Sequence, residues 1–265
     1  SGSAVVTVNA KPTAVVTGTA AICAGASATI SATLTGTAPF SITWSDGVTT
    51  STPTRTVSPA SNTTYTITSI SDANCSGTAT GSAAITVRPR PAATVSGSSS
   101  GCPSTSRTIT ATLTGTAPFS ITWSDGVTQS GIATTSATRT VSPATTTTYT
   151  ITAVTDANCA GGTASGSAVV TVTPAPSITQ QPVNITTVRN TTITFHVVAA
   201  PAGVTYLWQT LSGSTWITAT GTGVTSPDFS TSQSRKGTYQ YRVTVSDACS
   251  PVRSVTSNTV TLTVN

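Results

Sequence analysis

Covalent chemistry in this 265-residue chain rests with five cysteines, four of which fall at matching places in a duplicated sequence. Cys23 and Cys75 stand in one copy where Cys102 and Cys159 stand in the next. Each pair brackets the same run of alternating apolar and Thr residues, so the spacing predicts two disulfides inside their own repeats, Cys23 to Cys75 and Cys102 to Cys159. Closing loops of this length removes about 4 kcal/mol of unfolded-chain entropy per bridge, and such bridges persist only in an oxidising compartment. Cys249 aligns with the second cysteine of each pair, but Thr and Val occupy the place of a partner. It is read as a free, partly buried thiol, the alternative being an intermolecular bridge.

No other group assembles a reaction centre. The single histidine, His196, lies between Phe195 and Val197 on an alternating stretch whose apolar members face inward, which turns its imidazole to solvent. Gly97-Ser98-Ser99-Ser100-Gly101 matches the string of a nucleophile elbow, but it has neither a histidine in its repeat nor a helix to follow. Paired carboxylates are equally hard to find: there is no Glu, and the six Asp are spread two per repeat in turn-like contexts. Asp72, Asn74, Asp156, Asn158 and Asp247 supply too few oxygens together for calcium, and neither Lys11 nor Lys236 is placed for a buried Lys–Asn cross-link. No catalytic residue, cofactor or metal site is assigned, and the chain is read as non-enzymatic. Trp44, Trp123 and Trp208 share parity with core positions. Trp216, in a segment peculiar to the last third, is either a contact residue or a second core anchor. Sequons at Asn62, Asn74, Asn184 and Asn190 permit glycosylation.

The elements that carry these residues come in copies. Residues 32–49, ATLTGTAPFSITWSDGVT, recur letter for letter as 111–128, and TRTVSPASNTTYTITSISDANC (54–75) returns as TRTVSPATTTTYTITAVTDANC (138–159). Five extra residues near Gly131 to Ser136 mark a surface loop. A diverged third copy has TYLWQ (205–209), GTYQYRVTVSDAC (237–249) and SNTVTLTVN (257–265) in the corresponding places. Period-two alternation predicts strands whose inward faces carry Ile30, Ala32 and Leu34; Phe40, Ile42 and Trp44; Tyr65 and Ile67; and Ala83, Ile85 and Val87. Ile109, Leu113, Phe119, Ile121, Trp123, Tyr149, Ile151, Val170 and Val172 repeat the pattern. In the third copy it runs through Ile193, Phe195, Val197, Tyr206, Trp208, Tyr239, Tyr241, Val243, Val260, Leu262 and Val264. Asp46-Gly47 and Asp125-Gly126 predict two-residue hairpins.

Short strands with turns every 8–12 residues and a central Trp predict an all-β chain of three tandem immunoglobulin-like β-sandwich domains. The domains are expected at 11–90, 91–174 and 175–265. Residues 1–8, SGSAVVTV, duplicate 165–172. Segment 1–10 is therefore the closing strand of a preceding repeat, or a strand donated to a partner. Short linkers bearing Pro12, Pro89, Pro91, Pro174 and Pro176 favour extended backbone, giving an expected rod near 110 Å from strands of about 7–8 residues.

Composition excludes further classes. Thr makes up about a quarter of the chain, suiting the outer face of a sheet. The net charge of +5 reflects missing acids, its eleven cations being scattered, so no nucleic-acid partner is expected. No apolar run is long enough to insert in a membrane; weak attraction to surface polysaccharide is compatible with the charge. The pattern Cys, small residues, G-T-A-P-F-x-I-T-W-S-D-G, then T-Y-T-I-T and D-A-N-C resembles the PKD-like and Ig-like tandem repeats of giant bacterial cell-surface adhesins, the gliding-adhesin type. P-S-I-T-Q-Q-P (176–182), Y-L-W-Q, Y-Q-Y-R-V and S-N-T-V-T-L-T-V resemble the bacterial Ig-like domains appended to them. The resemblance implies a non-enzymatic stalk or filament segment, extracellular and at the cell surface, whose partners are further repeats or like subunits. The alternative is a set of accessory spacer or binding modules of a secreted polysaccharide-degrading enzyme.

Overall fold

The computed structural model describes residues 2–265, and among them it contains strands, turns and bends but no helix. The chain divides into two compact units. One comprises Ser1–Gly97, Thr108–Arg139 and Tyr149–Ala168; the other comprises Ser98–Arg107, Thr140–Thr148 and Val169–Asn265. The first repeat lies wholly in unit one and the third wholly in unit two, while strands of the second are shared out between them.

In unit one, a four-stranded sheet runs in the order Thr54–Val57, Ala28–Thr35, Thr13–Thr17, Thr78–Gly81. Two three-stranded sheets accompany it: Ala20–Cys23 with Ala83–Arg88 and Thr63–Tyr65, and Thr49–Thr50 with Ser41–Trp44 and Ile67–Ser71. The opening and closing segments each change sheet at a glycine of positive φ, Gly18 (111°) and Gly81 (78°). A Cβ on Gly81 would sit 2.6 Å from the Val16 carbonyl oxygen, so both the turn and the close approach demand glycine there. Because the two segments change sheet together, they stay parallel throughout: Thr13 lies beside Thr78, and Cys23 beside Arg88.

Alternation drives the packing. Ile30, Ile42 and Trp44 are completely buried, with Ala14, Val16, Tyr65, Ile70, Ala83 and Ile85 around them. Burying each large aliphatic chain contributes about 1.5–3 kcal/mol, and the Thr residues between them face outward. The second repeat reproduces the registers, with Ala92 opposite Thr114 and beside Thr163 as Thr13 lies opposite Thr35 and beside Thr78. Its insertion lengthens the outer strand Thr128–Ile132, whose residues are exposed or half-buried, as a surface feature should be.

The Asp-Gly turns differ from expectation. The Trp44 amide bonds the Val48 carbonyl and the Gly47 amide bonds the Trp44 carbonyl, which leaves three residues in the loop with positive φ at Gly47 alone. That is the three-residue hairpin with a glycine bulge, and it needs no left-handed aspartate. Asp125-Gly126 repeats it.

In unit two, the third repeat is built on a sheet ordered Ile185–Thr187, Val260–Val264, Gly237–Ser246, Thr205–Ser212, Thr215–Thr218, with Ser254–Thr256 also on Gly237–Ser246. Ile193–His196 pairs Asp228–Thr231, and Ser177–Gln180 pairs Val198–Ala200. Its core is more aromatic: Phe195, Trp208, Phe229 and Tyr241 pack with ring centroids 5.3 to 5.9 Å apart. Ser99–Gly101, the opening strand of the second repeat, runs parallel to the closing strand Ala168–Val172. Residues 2–12 form no strand, and Val5, Val6 and Val8 are 84–89% exposed.

Candidate functional site: the cysteine loops

The disulfides correct the expected pairing. Cys23 is bonded to Cys159, and Cys102 to Cys249; Cys75 is the free thiol, and Cys249 is not. The reason lies in the parallel run of opening and closing segments. Cys23 ends the opening strand beside Arg88, whereas Cys75 precedes Thr78, the start of the closing run. About ten residues of extended chain, roughly 30 Å at 3.3 Å each, separate the two positions, and a disulfide tolerates Cα separations only up to about 7 Å. The first repeat therefore cannot join its own cysteines. The first cysteine of each of the first two repeats instead meets the second cysteine of the following repeat, at Cα separations of 5.8 Å for Cys23–Cys159 and 5.5 Å for Cys102–Cys249.

Aspartate positions each second cysteine. In the first repeat, Asp72 Oδ2 accepts from the Thr37 amide at 2.9 Å, and Oδ1 accepts from the Asn74 and Cys75 amides at 2.8 Å each. Asp156 does the same with the amides of Thr116, Asn158 and Cys159 at 2.6–2.9 Å. Asp247 accepts from the amides of Cys249 and Arg253 and from the Arg253 guanidinium. The Thr37, Asn74 and Cys75 amides hold the Asp72 carboxyl below its ordinary range. For Asp156 and Asp247 burial pushes the other way, but the hydrogen bonds outweigh it and both remain lowered. A carboxylate engaged with amides in this manner is a loop clamp.

Two arginines secure the same places. Arg90 donates from Nε to the Ala24 carbonyl at 2.9 Å and from one terminal nitrogen to the Ala160 and Gly161 carbonyls at 2.8 and 2.9 Å. It thereby grips the residues next to both Cys23 and Cys159. In unit two Arg253, held by Asp247 at 2.7 Å through Nε, donates to the Thr173 and Pro174 carbonyls. A planar fork of five donors suits several carbonyls at once. Sequence carries little signal for either role beyond the Arg88-Pro89-Arg90-Pro91 run.

The remaining candidates are scattered. His196 faces solvent and pairs with Asp228 across the strands at 2.6 Å. Ser99 lies on a strand beside Val170, its enclosed hydroxyl unpartnered, with no elbow around it. Trp44, Trp123 and Trp208 are fully buried. Their indole nitrogens donate to Thr50 Oγ1, Gln129 Oε1 and the Ser226 carbonyl. Trp216 sits half-exposed on the edge strand Thr215–Thr218, with the Arg242 guanidinium 4.3 Å above its ring. Asp46 and Asp125 are more than turn residues: Arg55 and Arg139 bind them through both terminal nitrogens, and these pairs lower both carboxyls. Of the sequon residues, Asn62 accepts from the Val87 amide and Asn184 from the Thr261 amide, latching closing strands. Asn190 adopts positive φ, and Asn74 lies in the Asp72 loop. Among the described residues no group of three or more metal-ligating side chains occurs.

No family model matches the chain, and no curated protein matches it. Among solved structures it is similar to the I-band fragment I67–I69 from titin, at 16% identity over 96% of each chain and a TM-score of 0.44. It is similar to Sidekick-1 immunoglobulin domains 1–5, at 14% identity over 96% of this chain and 58% of that one, TM-score 0.35. The I9–I11 tandem from titin gives 17% identity over 96% and 97%, TM-score 0.30. By its own strands and cores the chain is an all-β tandem of immunoglobulin-like sandwiches.

Proposed function

We propose that this chain is a mechanical spacer, a segment of an extracellular bacterial stalk or filament that displays an adhesive region at the cell surface and takes up tension along its length. The observation that carries the reading is the bonding pattern: each of the two disulfides joins one repeat to the next, an arrangement useful where repeats must not be pulled apart. Cations of the linkers and third repeat that enter no ion pair among the described residues, Lys11, Arg189, Arg235 and Lys236 among them, leave weak contact with anionic surface polymers open to it. Further repeats or like subunits are its partners in this reading. Immunogold labelling of intact cells with antibodies to the third repeat tests it: gold displaced outward from the outer surface is expected, and gold confined within the cell envelope would overturn it.

One observation favours a second reading, that the repeats are accessory modules of a secreted polysaccharide-degrading enzyme. Trp216 stands half-exposed on an edge strand with Arg242 over one face of its ring, and the other face of a half-exposed indole can stack on a sugar ring. Affinity electrophoresis through a panel of polysaccharides separates the readings. Retardation abolished by Trp216→Ala supports the module, and unretarded migration of the parent chain rejects it.

A further inference from the structure

The first repeat carries one half of a junction. Asp72 holds the Cys75 loop by the same amide contacts with which Asp156 holds the Cys159 loop. Cys159 and Cys249, the residues in the equivalent positions of the later repeats, are each bonded to a cysteine of the repeat before; Cys75 is free. A second observation is independent of any cysteine. Residues 1–8 are identical to 165–172. In the later copy Val170 is 3% exposed, within the closing strand Ala168–Val172 that lies against Ser99–Gly101; the matching Val6 is 84% exposed and belongs to no strand. The two features adjoin, for the Asn9 carbonyl oxygen is 4.0 Å from the Cys75 sulfur. A copy of a closing strand that lies on no sheet and a junction cysteine without a bond thus stand side by side.

We propose that segment 2–8 and Cys75 together receive a further sandwich of this kind that lacks its own closing strand. The segment completes that sandwich's sheet parallel to its opening strand, and Cys75 bonds the cysteine ending that strand. Cys23 and Cys102 are already bonded, so the occupant is an additional repeat and not the finished sandwiches of a second copy. The two thiols lose two protons and two electrons as the S–S bond forms. A small-molecule disulfide such as oxidised glutathione takes them up and leaves as two thiols. The inference deepens the spacer reading, yet its bond can form or fail whatever the cell-surface labelling shows.

The experiment joins residues 91–164, with Cys159→Ser, directly ahead of Ser1 of the full chain, so that 1–8 follows the added repeat as 165–172 follow the second. After oxidation with a glutathione buffer, the Cys75 thiol is expected to vanish from maleimide labelling and to appear in a peptide linked to the added repeat's Cys102. Changing that added cysteine to Ser should restore full labelling. A second variant, Val6→Asp, which breaks the strand and not the thiols, should slow bond formation at least tenfold. Persistent labelling of Cys75 in the extended chain, bonding to glutathione alone, or equal rates with and without Val6→Asp would each overturn the proposal.

Discussion

Pulling the chain by its two ends should reveal its connectivity as a length. Without disulfides, 265 residues extend to about 930 Å at roughly 3.5 Å each. The observed bonds shorten the covalent route, because tension entering at the amino terminus crosses from Cys23 to Cys159, runs backward to Cys102 and crosses to Cys249. That path uses residues 1–23, 102–159 and 249–265, about 100 residues or roughly 350 Å when taut. Residues 24–101 and 160–248 then lie off the route and cannot be drawn straight. Bonds within repeats, Cys23 to Cys75 and Cys102 to Cys159, would leave about 160 residues on the route and a taut length near 550 Å. Optical-tweezer stretching of single oxidised molecules, corrected for the handles, separates the cases. A limit near 350 Å that grows to about 930 Å on reduction is expected; a limit near 550 Å without reductant would refute the reasoning.

Replacing Cys23 and Cys159 together by Ser should lower the stability of the first two repeats by about 2–4 kcal/mol in denaturant unfolding, since a repeat that unfolds beside a folded neighbour still closes a loop of some seventy residues. Gly81→Ala should cost about 1–3 kcal/mol in the same assay, because φ of 78° and the Val16 carbonyl both oppose a Cβ; an unchanged midpoint would count against the tight crossing. Asp46, Asp72, Asp125, Asp156 and Asp247 all have folded-state pKa values below the ordinary 3.8. A lowered carboxyl contributes stability that is complete above its unfolded value and is lost as pH falls through the folded one. Thermal melts should therefore be flat with respect to these groups from neutrality to about pH 5 and fall progressively below pH 4, and stability rising on acidification would contradict the clamp assignments.

Much of the fold was legible because alternation reports which face of a strand is buried. Ile30, Ile42, Trp44, Ile109, Trp123, Phe195, Trp208 and Val243 all fall where period two places them. The repeats were visible as literal identity. What sequence could not supply was the position of a residue along the long axis of its sandwich. Cys23 and Cys75 bracket the same strands in order, yet order says nothing about which end of a strand each occupies, and five cysteines forming two bonds admit fifteen arrangements. The opening strand's parallel run with the closing strand decides the matter, and parallel pairing between distant segments leaves no local signature. Arg90 and Arg253 are hidden for a related reason: the groups they reach across to are backbone carbonyls, which every residue has. The Asp-Gly turns were misjudged by one residue, since a three-residue loop with one left-handed glycine and a two-residue loop present the same dipeptide.

The central claim, that disulfides join each repeat to the next, is tested most directly by tryptic mapping without reduction. Cleavage after Arg55, Arg107, Arg139, Arg189, Arg242 and Arg253 puts Cys23 in peptide 1–55, Cys75 and Cys102 in 56–107, Cys159 in 140–189 and Cys249 in 243–253. The structure requires two linked pairs, 1–55 with 140–189 and 56–107 with 243–253, with one alkylatable thiol at Cys75. A single three-peptide species of 1–55, 56–107 and 140–189, with 243–253 released alone and alkylated at Cys249, would contradict it.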